Sequence, residues 1–385
     1  MSKYLKFLLI CFLFIPIFTF NFLIYSEQQF VYLAHAFLKG SFSLIQLPPI
    51  IADLSFFNDK YYWPLGPFPA IMLSPFVFLF NTQFLQGYIQ FLLTVLNFWL
   101  ITKICERLNL QKEKALWLAI FYIFGSAYTP IAIIPFSWYF AHVVATTCIL
   151  LAIYEFLLYK RWFLIGSLIA LATLTRINLL LSLVFFAPSL LGKQINFRNI
   201  FGITLPIAFA LILIGFYNYQ RFGDIFESGY SYQIIPEESK ARRDFGLVSA
   251  KHIPANLYYM LIKTPDPVLV DNSHVLKPPY LKFDPYGMSL FFMSPILFLL
   301  FRAKLADPYV KRSLITIFGL LIPIITYYGI GYIQIGYRYA LDFFPFLLLI
   351  LISSAKITKI TYIKILVIAG IIISWGFTLQ KIYIF

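Results

Sequence analysis

Two carboxylates stand where a charge needs a reason. Glu27 comes two residues after the end of the first long apolar run, Tyr4 to Tyr25, and Asp53 is embedded in Ala52-Asp53-Leu54-Ser55-Phe56-Phe57. A charge beside hydrocarbon is costly, and a carboxylate held there can act as a general base toward an acceptor hydroxyl. Glu27 also suits the start of a helix on electrostatic grounds alone. Asp59, in Asn58-Asp59-Lys60, reads as a turn residue. Four isolated cations, Lys60, Arg176, Arg221 and Arg338, each lie near a helix end and are flanked by aromatics. Singly they read as snorkelling side chains. Together they suit a phosphate or pyrophosphate leaving group, whose developing charge guanidinium and ammonium groups stabilise. Arg338 could instead pair with Asp342 at i to i+4. His142 reads first as a packed histidine and second as a catalytic one. Tyr61 and Tyr62 open an aromatic and proline run that could stack on sugar rings.

The elements that must position these groups are membrane helices. The chain has 385 residues, 61% hydrophobic and 12% charged, with a mean hydropathy of +0.82. That leaves too few polar side chains to cover a soluble globule. Apolar runs of roughly 18 to 25 residues recur throughout, each long enough to cross about 30 Å of hydrocarbon. The first is longer than a signal-peptide core, lacks a small-residue cleavage site and precedes further spans, so it reads as a helix. The net charge of +14 follows largely from basic inner loops, and no basic cluster has nucleic-acid character. Cys11, Cys105 and Cys148 lie singly and support neither a disulfide framework nor a thiolate metal site.

Lys3 and Lys6 place the N-terminus inside, so residues 26–83 emerge as a first outer loop. Ser26 with Gln29 fits a capping box for a surface helix ending at Gly40, with Gln28, Tyr32, His35 and Lys39 on its polar stripe. Pro67 to Phe80 is too short to cross and reads as re-entrant or interfacial. Crossings are then expected at Phe84–Ile104, Ala115–Ile134, Trp138–Leu158, a hairpin over Trp162–Leu191 with its tip at Thr175-Arg176, and Ile200–Tyr217. A large outer loop, residues 218–286, should carry a small cap with a short helix near Pro254 to Ile262. Gly287–Phe301, Leu314–Ile330, Tyr339–Ser353 and Ile365–Thr378 complete a single all-α domain over 1–385, with about 11 crossings. Only four of the sixteen acids, Glu106, Glu113, Glu155 and Asp307, fall inside. Titratable chemistry therefore concentrates on the outer face.

No Walker loop, dinucleotide fingerprint or nucleophile elbow is present, so energy must come from an activated substrate or a gradient. No histidine pattern has metal-ligand spacing; a divalent metal shared by distant acids is compatible with the sequence.

Laid out in this order, the chain resembles the GT-C superfamily of polytopic glycosyltransferases, in particular its protein mannosyltransferase and aminoarabinose transferase branch. The resemblance rests on Ser26-Glu27 after the first helix, on Gln28 to Lys39, and on Lys60 to Pro67 as a stretched Lys-Pro-Pro-type segment. It continues at Gly166 to Arg176, Asn218 to Gly223 and Gly336 to Phe346. It implies inverting transfer of a hexose or pentose from a polyprenyl-phosphate donor to a lipid, glycan or protein acceptor. The enzyme would sit in a bacterial inner membrane with its active site facing outside. A first-loop carboxylate would be the base, with Lys60, Arg176, Arg221 and Arg338 toward the lipid phosphate. Where the family carries Asp before Glu, this chain has Ser26, which leaves Glu27 and Asp53 both open as the base. An O-antigen polymerase or ligase, and a flippase for lipid-linked glycans, are the rival readings.

Overall fold

The computed structural model describes residues 3–23, 27–191, 196–271 and 274–384. Ser26 lies outside the described residues, and with it the expected capping box. In chain order, α1 (Lys3–Leu23) and α2 (Gln29–Leu38) are followed by a hairpin of β1 (Ser55–Phe57) and β2 (Lys60–Tyr62), then α3 (Phe68–Phe80) and α4 (Gln86–Arg107). Next come α5 (Lys112–Phe124), α6 (Tyr128–Ile133), α7 (Ser137–Leu158), α8 (Trp162–Thr175), α9 (Leu183–Leu190) and α10 (Phe197–Phe222). The remainder holds α11 (Glu237–Arg243), α12 (Ile253–Leu261), a hairpin of β3 (Asp266–Leu269) and β4 (Leu276–Lys282), β5 (Tyr286–Met288) and α13 (Leu290–Met293). It ends with α14 (Pro308–Thr326), β6 (Gln334–Gly336), α15 (Phe344–Ile357) and α16 (Ile360–Ile384).

Among the described residues, five helices are long and apolar enough to cross a membrane: Gln86–Arg107, Ser137–Leu158, Phe197–Phe222, Pro308–Thr326 and Ile360–Ile382. Shorter apolar helices, including Phe68–Gln83, Trp162–Thr175 and Phe344–Ile357, accompany them. Two expected crossings take another form. Ala115–Ile134 is divided into α5 and α6 at Gly125-Ser126-Ala127, where the Ser126 Oγ turns back to the Tyr122 carbonyl at 2.6 Å and also accepts from the Tyr128 N–H at 3.0 Å. Gly287–Phe301 is not one helix. Its Ser289 hydroxyl caps the four-residue α13, and Ser294-Pro295 then forces a 3-10 segment over Pro295–Arg302. Apolar composition alone did not reveal those serine and proline breaks.

The chain forms two compact units, Met1–Leu100 with Ile131–Leu247, and Ile101–Pro130 with Val248–Phe385. In the first, Phe30 and Leu33 of α2, Trp63, Leu73 of α3, and Phe140 and Val144 of α7 share one buried core. The expected surface helix is therefore an enclosed one. Gln28, Gln29 and Tyr32 are buried: α3 packs along α2, Gln28 meets Gln86 of α4 and Tyr32 joins the shared core. Its end is as expected: Gly40 has φ +73°, the Gly40 N–H meets the Phe37 carbonyl at 3.0 Å, and the Ser41 N–H meets Ala36 at 2.9 Å. This is a left-handed glycine stop. Asn58 and Asp59, with φ of 48° and 57°, form the two-residue turn between β1 and β2, which pair Ser55 with Tyr62 and Phe57 with Lys60.

α7, α8 and α10 form a closely packed layer. At Gly166 of α8 a Cβ would stand 2.5 Å from the Ile203 carbonyl oxygen of α10, and Gly202 lies against Trp162 and Phe163. Small residues let membrane helices approach to backbone contact.

In the second unit, β5 and β6 pair in parallel, Tyr286 with Gln334 and Met288 with Gly336. The Lys114 ammonium caps the end of α15 at the Ala355 carbonyl, 2.8 Å away, and Glu113 pairs with Lys364 at 2.7 Å. The loops before α5 and after α15 thus lie at one end of this unit. α12 stands where the cap helix was expected.

Gly166→Leu should force α8 and α10 apart and cost about 1–3 kcal/mol. A thermal unfolding midpoint unchanged from wild type in detergent would contradict the packing.

Candidate functional site

The site is built around an interruption. Pro135 ends α6 and leaves a run of carbonyls without helical partners before α7 begins. Three side-chain amides satisfy them. Asn21 of α1 donates to Ala132 O at 2.7 Å and Ile133 O at 3.3 Å. Gln90 of α4 donates to Ile131, Ala132 and Ile134 at 3.0, 3.3 and 3.2 Å, and Gln86 to Pro135 O at 2.7 Å. Gly87 makes this possible, since a Cβ there would stand 2.2 Å from the Asn21 carbonyl oxygen. Left unpaired in a low-dielectric interior, each such carbonyl would cost about 1–3 kcal/mol.

That anchoring fixes the first turn of α7, where the Glu27 backbone and the Asp53 carboxylate both arrive. The Glu27 carbonyl accepts from Gln86 Nε2 at 3.0 Å and from Ser137 Oγ at 3.3 Å, and Gln28 Oε1 accepts from the Gln86 N–H at 2.9 Å. The Glu27 carboxylate, half-buried, accepts from Gln29 Nε2 at 3.4 Å. One residue along α7, Trp138 Nε1 donates to Asp53 Oδ2 at 3.1 Å. Glu27 and Asp53, 26 positions apart in sequence, are therefore brought to adjacent residues of one helix.

Asp53 also joins two loops. It has φ +68°, a conformation that Asp tolerates better than most residues. Its N–H donates to Ile234 O at 2.9 Å, while Gln233 Nε2 donates to its carbonyl at 3.2 Å and to Oδ1 at 3.3 Å. Ser55 Oγ donates to Gly229 O at 2.7 Å. Arg243 Nη1 closes the second loop on Tyr230 O and Gln233 O at 3.2 and 3.0 Å.

The four candidate cations have different environments. Arg221 is buried: Nη1 donates to Trp63 O at 3.0 Å, Nη2 to Asn218 Oδ1 at 2.8 Å and Nε to Tyr217 O at 3.2 Å, with the guanidinium 3.7 Å over the Tyr217 ring. Its donors hold protein groups, and its place is that of a brace. Arg176 is half-buried at the end of α8. Gly66 sits on this end, with room for no side chain: a Cβ would lie 2.0 Å from Leu174 O. Trp63 and Gly66 are at most about 11 Å apart along the chain, so the ends of α8 and α10 bearing Arg176 and Arg221 lie together. Trp138, its ring centroid 4.9 Å from that of Trp63, places the first turn of α7 at the same end. Lys60 is exposed on the hairpin.

Arg338 belongs to the second unit. It is buried on a short 3-10 helix, its N–H donating to Gln334 Oε1 at 3.1 Å and its Nη1 to Tyr332 O at 3.1 Å. Tyr61 is half-buried and its carbonyl takes the Leu44 N–H at 2.8 Å. Tyr62 is buried against Phe222; burial raises its phenol above the ordinary tyrosine range, partly opposed by the Arg221 charge. His142 is buried within α7. Among the described residues no three or more His, Cys, Asp or Glu cluster as metal ligands.

Sequence reasoning missed Gln86, Ser137, Trp138 and Gln233. Polar residues recurring on α4 at Gln86, Gln90, Thr94 and Asn97 inside an apolar span were the available signal. Nothing local marks Gln233.

No protein-family model matches the chain, and no curated protein does. It is similar to the solved apo form of an oligosaccharyltransferase from Archaeoglobus fulgidus, with a TM-score of 0.46 and 13% identity. That likeness covers 99% of this chain and 56% of the other, so the chain spans about half the length of that protein.

Gln86→Leu should free the Glu27 and Pro135 carbonyls and destabilise the protein by about 1–3 kcal/mol. Hydrogen exchange should rise in residues 27–30 and 136–140; unchanged protection there would show that Gln86 does not hold the turn.

Proposed function

We propose that the chain is an integral membrane glycosyltransferase of GT-C type that moves a sugar from a polyprenyl-phosphate donor to an acceptor at the outer face of the membrane. The observation that carries this reading is the meeting of Glu27 and Asp53 at Ser137 and Trp138, at the end of the α7, α8 and α10 layer that also bears Arg176. Carboxylates and a cation at one end of a helix layer supply the two kinds of group that transfer from a phosphate leaving group requires.

Glu27 is the general base. Its backbone is pinned by Gln86 and Ser137 while its carboxylate is half-buried rather than enclosed. Asp53 has both carboxylate oxygens on Trp138 and Gln233 and is the positioning residue that shapes the loops. Glu27 takes the proton of the acceptor hydroxyl as its oxygen bonds to the anomeric carbon. The bond from that carbon to the phosphate oxygen breaks on the opposite face, and the electron pair leaves with the polyprenyl phosphate. Arg176 and Lys60 stabilise that phosphate. The outcome is inversion. The transferred group is a hexose or pentose, the acceptor a lipid, glycan or protein, and the setting a bacterial inner membrane crossed about eleven times with the N-terminus inside.

A flippase or ion-coupled transporter is less well supported. Broken helices in transporters leave carbonyls for ions, whereas the carbonyls of residues 131 to 135 are engaged by amides.

The test is incubation of the purified full chain with a panel of polyprenyl-phosphate sugars and extracted envelope acceptors. Glu27→Gln should lower transfer by at least about 10²-fold with folding and donor binding retained. Asp53→Asn should retain some transfer and lower the unfolding midpoint. Full activity in both variants, or no transfer from any donor by the wild type, would sink the assignment.

A further inference from the structure

At the opposite end of α8 from Arg176, a groove of about 320 Å³ opens between the first turns of α8 and α10. Arg161 and Arg198 stand among its lining residues with Trp162, Phe163, Phe201 and Gly202. Phe163, Phe201 and Leu205 are 60%, 64% and 46% exposed, so the apolar part continues onto the outward surface of two apolar helices. Charge is uneven across it. Arg161 is gripped by Glu155 through Nε at 2.9 Å and Nη2 at 2.7 Å, which fixes the guanidinium and leaves its Nη1 donors available. Arg198 is exposed and has no acidic partner among the described residues. Lys160 precedes Arg161, so the local balance is positive even with Glu155 counted.

A cationic rim over an apolar slot on a membrane-helix surface matches one ligand chemistry, a phosphate ester carrying hydrocarbon tails. We infer that this groove seats one anionic phospholipid, its phosphate at Arg161 and Arg198 and one acyl chain passing over Gly202 along Phe163, Phe201 and Leu205. Gly202 keeps the slot open. A Cβ there would meet nothing nearer than 3.4 Å, so the position has room for alanine, while a longer side chain would occupy the space assigned to the chain of the lipid. Trp162, buried behind the rim, is placed as interfacial tryptophans are. This inference does not depend on the transfer reaction, since none of these residues belongs to the Glu27 and Asp53 site.

Native mass spectrometry of the full chain in detergent tests it, with phosphatidylglycerol and phosphatidylcholine of identical acyl chains as probes. Wild type should retain phosphatidylglycerol about tenfold more strongly than phosphatidylcholine, since both offer the same phosphate but the choline cation of the second is repelled by Lys160, Arg161 and Arg198. Arg198→Gln should remove that preference, and Gly202→Leu should lower retention of both lipids. Arg198 is exposed, so its variant carries the test even where Gly202→Leu unfolds. Equal retention of the two lipids by wild type, or wild-type binding of phosphatidylglycerol by Arg198→Gln or by folded Gly202→Leu, would overturn the proposal.

Discussion

A helix interrupted within an apolar layer exposes carbonyls that neither water nor lipid can satisfy, and the remedy must come from side chains. Here it comes from Asn21, Gln86 and Gln90, which reach five consecutive carbonyls from Ile131 to Pro135. The hydrogen bonds do more than offset a penalty. They fix where α1 and α4 stand relative to the start of α7, and Gln86 uses the same amide group to hold the Glu27 carbonyl. The interruption and the candidate base are thus positioned by one side chain.

A second constraint is the cost of burying a guanidinium. Arg221 is 4% exposed, so its donors must find acceptors, and they find Trp63, Asn218 and Tyr217. Trp63 is held by that bond and by its rings against Trp138 and Phe30. It joins the first loop to the ends of α7 and α10. A cation spent this way is poorly placed to meet an incoming phosphate. Partly exposed Arg176 and exposed Lys60 suit that task better, a division among four cations that looked equivalent by residue type.

Local rules were readable in the sequence and long-range partners were not. Asn58-Asp59 marked a turn, Gly40 a helix stop and Pro254 to Ile262 a short helix, since each depends on backbone preference at the residue itself. The polar stripe of α2 misled because periodicity reports which residues share a face, not what covers it; Gln28 Oε1 takes the N–H of Gln86, far away in sequence. Asp53 was conspicuous as a charge among apolar neighbours. Its partners, Trp138 and Gln233, lie 85 and 180 positions away, and no local pattern encodes such distances. Runs of apolar residues also overstated helix length where serine or proline intervened, as at Ser294-Pro295.

The two acids differ in a way that bears on their roles. A base must change its proton occupancy during turnover, and whatever holds it must tolerate both states. Asp53 accepts from Trp138 and Gln233, one on each oxygen, while its backbone ties two loops together. Protonation would turn one of those oxygens into a donor facing a donor, so the same event that served catalysis would loosen the loops around the substrate. Glu27 is anchored through its carbonyl, while its carboxylate takes a longer contact from Gln29 Nε2, at 3.4 Å. Its carboxylate can gain and lose a proton while Gln86 and Ser137 keep hold of the backbone. Anchoring by the main chain separates the chemistry of the group from the stability of its support, and this is the physical ground for proposing Glu27 as the base and Asp53 as the brace.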